Sequence, residues 1–167
     1  MTPTLLTERL ILRPMDASDV SELVRLNADP LVLRFTGDGP LDEAAAAVVL
    51  RDRILPQYAL GIGRLAVVHR DDLRFLGWCG LRRDAGGEDA GFTSYRGYRF
   101  HTDERGRGFA TEAALAVLDD ARRRLPDARI LGRVDPANLA SQRVLERCGL
   151  RRYGEQQDGD RFVWLYR

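Results

Sequence analysis

The stretch Asp103–Ala113, DERGRGFATEA, constrains the fold more than any other part of the chain. Two glycines stand between arginines, and the chain runs from them straight into a segment with helical periodicity. Ala110, Ala113, Ala114, Val117, Leu118 and Ala121 follow the i, i+3, i+4, i+7, i+8 rule of one apolar helix face. Arg122–Arg124 favour the C-terminal end of that helix, where the backbone dipole is negative. Phe92 to His101, just upstream, alternates as a strand does. A strand, a glycine-bearing turn and a helix start together make an anion site. The first helical N–H groups have no intrahelical partner, and glycine, lacking a Cβ, lets an anion approach them. Arg105 and Arg107 add guanidinium forks suited to phosphate oxygens. The segment Arg105–Ala110 therefore reads as a cradle for a phosphate or pyrophosphate.

Two common phosphate cradles do not fit. A P-loop needs lysine, and the chain has none: all of its 26 Lys+Arg residues are arginine. A dinucleotide fingerprint needs a third glycine, but Gly106-x-Gly108 is followed by Thr111, and the motif lies late in the chain.

The remaining segments read as an alternation of strands and helices. Arg9–Pro14 is a short strand, and Asp16 or Ser18 caps a helix across Asp19–Asn27 that ends before Asp29-Pro30. Phe35–Pro40 is a loop, and Leu41 to about Ile54 a helix. A hairpin turning at Asp71-Asp72 follows, then a turn over Asp84–Gly91. After the long helix come a buried strand over Ala128–Val134, a helix capped by Asn138 and stopped by Gly149, and two closing strands, the last expected at a sheet edge. The order is β-α-α, β-β-β, α-β-α-β-β, with no repeat or linker, which makes residues 1–167 one α/β domain.

Composition narrows the function classes. A formal net charge of +1 gives no general grip on nucleic acid or an anionic membrane, and the arginine clusters interleave with acids. No segment approaches the ~20 apolar residues of a membrane span. Cys79 and Cys148 lie far apart in apolar contexts and read as reduced core residues, and the N-terminus lacks a signal-peptide pattern, so a cytoplasmic protein is expected. His69 and His101 have no partners at metal-ligand spacing, so no metal is expected, and no G-x-S-x-G marks a hydrolase.

Arg105-Gly106-Arg107-Gly108-Phe109-Ala110 resembles the R-x-x-G-x-A pyrophosphate motif of the GNAT N-acetyltransferases. NLASQRVLERCGL, Asn138–Leu150, is similar to that family's second signature, N-x-x-S-x-x-V-L-E-[KR]-x-G-[FL], and TERLILRPMDASDV resembles the opening of the RimJ/RimL-like branch. The resemblance spans roughly Leu6 to Tyr166. It implies α+β architecture: a mixed, mostly antiparallel sheet of about seven strands with about four helices, splayed between the strand ending at Phe100-His101 and the strand Arg129–Val134. It further implies acetyl-CoA as co-substrate. The pyrophosphate would rest on Arg105, Gly106, Arg107, Gly108, Phe109 and Ala110. The pantetheine would lie along Tyr98 to Phe100, and Asn138 would contact that arm or hold the cleft open. A strand N–H near Tyr98–Phe100 would polarise the carbonyl. Ser141 would donate to the departing thiolate, with Tyr153 as the other candidate. Trp78, Trp164, Phe35 and the loop TGDGP would line the acceptor pocket.

The chain departs from the branch at Tyr95, where many relatives carry glutamate. Glu88, Glu104 and His101 are the groups left to act as base. An α-amine of pKa ~7.7–8.0 is on the order of 10% neutral at pH 7, against ~0.04% for a lysine amine, so a missing base favours an α-amine acceptor. The branch also contains enzymes of small amines, including antibiotics, and a non-catalytic CoA-binding protein is the further alternative. A homodimer is compatible with the family. Replacing Gly108 by Val is expected to block the pyrophosphate and spare the fold.

Overall fold

The computed structural model describes residues 2–83 and 92–167, with backbone alone for 92–96. The expected turn at 84–91 and the candidate base Glu88 lie outside the described residues. Eight strands form one sheet: β1 (Leu5–Leu6), β2 (Leu10–Pro14), β3 (Arg64–His69), β4 (Phe75–Arg83), β5 (Phe92–Phe100), β6 (Arg129–Val134), β7 (Arg152–Asp158) and β8 (Arg161–Tyr166). Their order is β1-β2-β3-β4-β5-β6-β8-β7, and every neighbouring pair is antiparallel except β5–β6. The last strand in sequence, β8, therefore lies inside the sheet and β7 is the edge, which corrects the sequence expectation. β8 is the more apolar of the closing pair, with Val163 and Tyr166 buried, and burial on both sides draws it inward.

Alternation along the strands feeds two cores. Leu65 and Val67 of β3 point to one face, under α5 (Phe109–Arg124) and α6 (Leu139–Arg147), where they meet Ala113, Val117, Leu118 and Leu145. Ala66 of β3 and Trp78 of β4 point to the other, against Leu23 and Leu26 of α1 (Val20–Asn27) and Ala46 of α3 (Glu43–Val49). Cys79 and Cys148 are thiols buried in the first core.

Two helical features went beyond the sequence reading. A short helix, α2 (Pro30–Leu33), follows α1 directly, with the Asp29 carboxylate accepting the Leu31 N–H at 2.8 Å. The Asp-Pro pair that stops one helix starts the next, because proline is pre-organised for a first turn and needs no acceptor. The helix expected from Leu41 begins at Glu43, capped by Asp42, and continues through a π-type turn, Leu50–Ile54, into α4 (Leu55–Tyr58). Pro56 lies where the ladder changes, and its missing N–H is accommodated by the wider turn.

The first turn of α5 is fastened to the start of β2 by Glu112. Its Oε1 accepts from the Thr7 hydroxyl at 2.6 Å and the Arg9 N–H at 2.9 Å, and its Oε2 accepts from Arg9 Nε at 2.8 Å. Arg9 Nη1 also donates to the Arg107 carbonyl at 2.9 Å, and the same guanidinium lies 4.6 Å from the centre of the Phe109 ring. Burial works to raise the Glu112 pKa, but these hydrogen bonds outweigh it and hold the group below its ordinary value. A depressed carboxylate stabilises the fold above its unfolded pKa and loses that contribution as pH falls through the folded value. Glu112→Gln should thus cost about 2 kcal/mol in urea unfolding at pH 7. The gap to the parent protein should close below about pH 4.

Candidate active site

β5 and β6 are paired only over Phe92–Tyr95 against Arg129–Gly132, although β5 runs on to Phe100 and β6 to Val134. The pairing ends at an irregularity on the other side of β5. Gly80 of β4 opposes Gly97, but Leu81 opposes Tyr95, so Arg96 is an extra residue without a partner. Gly97 takes φ +84°, a left-handed conformation that suits glycine. A bulge of this kind bends its strand and sharpens the local twist. It turns β5 away from β6 and leaves the backbone edge of Gly97–Phe100 facing a gap.

The gap is a cleft of about 1070 Å³ that reaches both faces of the sheet. On the α5–α6 face it is walled by Tyr98, Phe100, Ala110, Asn138 and Ser141. On the other, Trp78, Arg99, Phe35, Thr36 and Asp38 close it. Successive strand residues explain the division: Tyr98 and Phe100 point one way and Arg99 the other, beside its cross-strand partner Trp78.

The turn leading out of β5 has the geometry of an anion cradle. A 3-10 turn, Thr102–Glu104, is followed by Gly106 at φ +77° and Gly108 at φ +81°, the latter at the N-cap of α5 without a side-chain cap. Glu112 N–H to Gly108 O, 3.1 Å, is the first bond of the helix, so the N–H groups of Phe109, Ala110 and Thr111 precede the ladder and line the cleft. A Cβ at Gly106 would meet nothing within 4 Å, which leaves this side of the turn open.

The two arginines of the cradle differ. Arg105 lines the cleft and donates to the Leu31 carbonyl at 3.1 Å. Arg107 does not line it, and its side chain donates to Glu104 Oε2 at 3.2 Å. Glu104 is only 6% exposed and is also paired with Arg74. A carboxylate so buried needs cationic partners, and it claims the Arg107 side chain that the sequence reading gave to phosphate.

Ser141 and Tyr98 meet inside the cleft, their hydroxyl oxygens 3.1 Å apart. Burial raises the Tyr98 pKa, and the bond to Ser141 opposes that rise only partly, so the phenol stays protonated. Asn138 accepts the Ser141 N–H at 3.1 Å and caps α6, which fixes Ser141 in its first turn. Tyr153 stands elsewhere, on β7 under the Arg167 guanidinium, and Trp164 stacks under Arg152 at 3.7 Å; neither lines the cleft. Of the candidate bases, Glu104 is consumed by its ion pairs. His101 belongs to a separate cavity and faces Arg25 at 3.1 Å. The Tyr95 side chain lies outside the described residues.

Sequence reasoning placed the TGDGP loop, which holds Asp38, at the cleft but missed its pairing with Arg99, and it missed Arg143 and Arg147. Asp38 and Arg99 pair across the cleft, Arg99 also donating to Asn27 Oδ1 at 2.6 Å. Arg143 and Arg147 line it from α6. Their i, i+4 spacing was the available signal, since both fall on one helix face. No cluster of metal-ligating side chains is found among the described residues.

Burial, and then the nearby Arg25, lower the His101 pKa; Glu22, Asp103 and Glu104 pull the other way without prevailing. The unfolded chain therefore takes up this proton first, at about pH 6.5, and stability is full above that value and declines as pH falls below it. Melting temperatures measured from pH 7.5 to 5 should fall, and His101→Gln should flatten part of the slope.

Comparison with known proteins agrees with this architecture. The model of the acetyltransferase (GNAT) domain matches residues 9–151. The uncharacterized N-acetyltransferase p20 of Bacillus licheniformis is 27% identical over 159 residues, covering 93% of this chain and 86% of p20. A putative GNAT-family acetyltransferase from Bordetella pertussis superposes with a TM-score of 0.83 at 23% identity, over 98% of both chains. RimL, a ribosomal L7/L12 alpha-N-protein acetyltransferase solved in complex with coenzyme A, superposes with a TM-score of 0.82 at 16% identity, over 98% of this chain and 96% of its own. A domain match over most of the chain, on a sheet that splays beside a glycine cradle, makes this protein a member of the GNAT acetyltransferase family.

Proposed function

We propose that this acetyltransferase moves an acetyl group from acetyl-CoA directly to a primary amine, and that the acceptor is a peptide or protein N-terminal α-amine. The observation that carries the reading is the continuity of the cleft from the N–H groups at the head of α5 to the hydroxyl pair of Ser141 and Tyr98. The open turn at Gly106, the uncapped helix start and the cleft's volume fit a pyrophosphate with a long arm. The coenzyme A complex of RimL supports the same ligand, and RimL's printed activity supports an α-amine acceptor.

When bound, acetyl-CoA supplies an activated thioester. Residues of this chain do the rest. The N–H groups of Phe109, Ala110 and Thr111, with the helix dipole behind them, hold the pyrophosphate. Arg105, Arg143 and Arg147 add positive charge along the cleft. The backbone edge of Gly97–Phe100, freed by the bulge, offers N–H donors to the carbonyl oxygen. Ser141 donates its proton to the departing sulfur, Tyr98, held protonated by burial, supports that hydroxyl, and the surplus proton of the attacking nitrogen leaves to water, from which Ser141 is reprotonated. Among the described candidate bases, Glu104 is ion-paired and His101 lies in another cavity, which supports an acceptor amine that is already partly neutral.

Three results test this. Titration calorimetry with acetyl-CoA should show saturable binding at one site per chain; no binding at millimolar ligand would reject the reading. Ser141→Ala should lower kcat about 100-fold with KM for acetyl-CoA little changed. Substitution at the cradle needs care, because φ +81° at Gly108 strains a β-branched residue, so the valine replacement would disturb the helix start as well as the ligand. Asparagine tolerates that conformation. Gly108→Asn should keep the melting transition and weaken acetyl-CoA binding about 10-fold or more.

A further inference from the structure

The turn between β5 and α5 also holds a wall of the cleft. α2, Pro30–Leu33, is a single helical turn, too short to fix its own position. With the loop behind it, it supplies Leu31, Val32, Phe35 and Asp38 to the lining. Val32 is buried in the second core and anchors it there. Two polar ties add to that anchor, and both come from the segment that carries the cradle. The Thr102 hydroxyl donates to Asp29 Oδ2 at 2.5 Å, while Asp29 Oδ1 accepts the Leu31 N–H at 2.8 Å. Arg105 donates to the Leu31 carbonyl at 3.1 Å. The Thr102 hydroxyl first, and then the Leu31 N–H, hold the Asp29 carboxyl below its ordinary pKa, so at neutral pH both bonds run to an ionised acceptor. The loop beyond α2 has ties of its own, from Arg99 to Asp38 and from Arg161 to the Phe35 carbonyl.

The two ties on α2 differ in kind. Arg105 lines the cleft, so a bound pyrophosphate would compete with the Leu31 carbonyl for its guanidinium. Thr102 and Asp29 lie outside the lining, and a ligand in the cleft has no claim on their bond. We propose that Thr102 is a positioning residue for the acceptor: through Asp29 it sets the place of α2, and α2 is the wall against which the acceptor packs. This rests on the acetyl-transfer reading and adds to it the residue that keeps the acceptor wall in register with the cradle. Thr102 touches neither substrate. Its effect falls on acceptor binding, while the N–H groups at the head of α5 keep the coenzyme.

The test uses Thr102→Val, which keeps the branched shape and removes the hydroxyl, and Thr102→Ser, which restores it. With the α-amino peptide Ser-Ala-Ala-Ala as acceptor, Thr102→Val should raise the peptide KM about 10-fold and leave the acetyl-CoA Kd, measured by calorimetry, unchanged. Thr102→Ser should recover most of the peptide KM. Asp29 is half-buried and open to water, so the melting temperature of the valine variant should stay close to the parent's. Hydrogen exchange gives a readout that needs no acceptor. Amides 31–36 should exchange about 10-fold faster in Thr102→Val, and amides at the start of α5 at the parent rate. An unchanged peptide KM, or unchanged exchange over 31–36, would overturn the inference and leave acetyl transfer standing. Equal weakening of peptide and acetyl-CoA would overturn it as well, since the residue would then serve the cradle. Acetyl-CoA binding with no turnover of the peptide by the parent protein would overturn the peptide-acceptor reading instead, and the exchange rates alone would then decide whether Thr102 holds α2.

Discussion

One extra residue in β5 governs the molecule. Without Arg96 in the β4–β5 register, β5 and β6 could stay paired along their length, and the sheet would close over the place where the cleft now lies. The bulge costs ladder hydrogen bonds on one strand, and the sheet tolerates this because each half is secured separately. β1–β5 are covered on both faces by helices, and β6, β8 and β7 are held by antiparallel pairing and by α6. A sheet open in its middle is stable when neither half depends on the seam. It also gives the cleft two faces of different chemistry, because alternating residues of a single strand look out on opposite sides.

Two carboxylates, one buried and one half-buried, organise the entry to that cleft. Glu104 and Glu112 sit on either side of the glycine turn, and each is compensated by arginine. The arginine-rich turn thus has two uses. Arg107 satisfies a buried acid and shapes the loop, while the donors that we assign to the ligand are backbone N–H groups whose positions the shaped loop sets. Guanidinium charge near a phosphate site need not touch the phosphate to matter for it.

Much of this was legible in the sequence, for reasons that can be named. The glycine cradle, the amphipathic α5 and the Asn138 cap of α6 are local signals: each rests on residues within one or two turns of each other. The placement of Ser141 in the cleft followed from its motif, whereas its contact with the Tyr98 hydroxyl was not foreseen. Long-range features were not legible. The inner position of β8 depends on which strand buries more surface, not on chain order. The service of Arg107 to Glu104 depends on a burial that spacing cannot reveal. The Asp38–Arg99 pair joins residues 61 positions apart, one of them in a loop with no periodicity. Tyr153 and Trp164 had the right chemistry on the wrong strand faces.

The buckle at Glu112 also bears on how the chain is handled. Thr7 and Arg9 belong to the turn between β1 and β2, yet their side chains hold the opening turn of a helix that begins a hundred residues later, and Arg9 grips the glycine turn itself through the Arg107 carbonyl. The β1–β2 turn is in this sense a part of the turn that we propose as the phosphate cradle. On the proposed function, a change that disturbs these few residues would register first as altered handling of the coenzyme and only afterwards as loss of fold, so a turn far from the cleft in sequence becomes a functional variable.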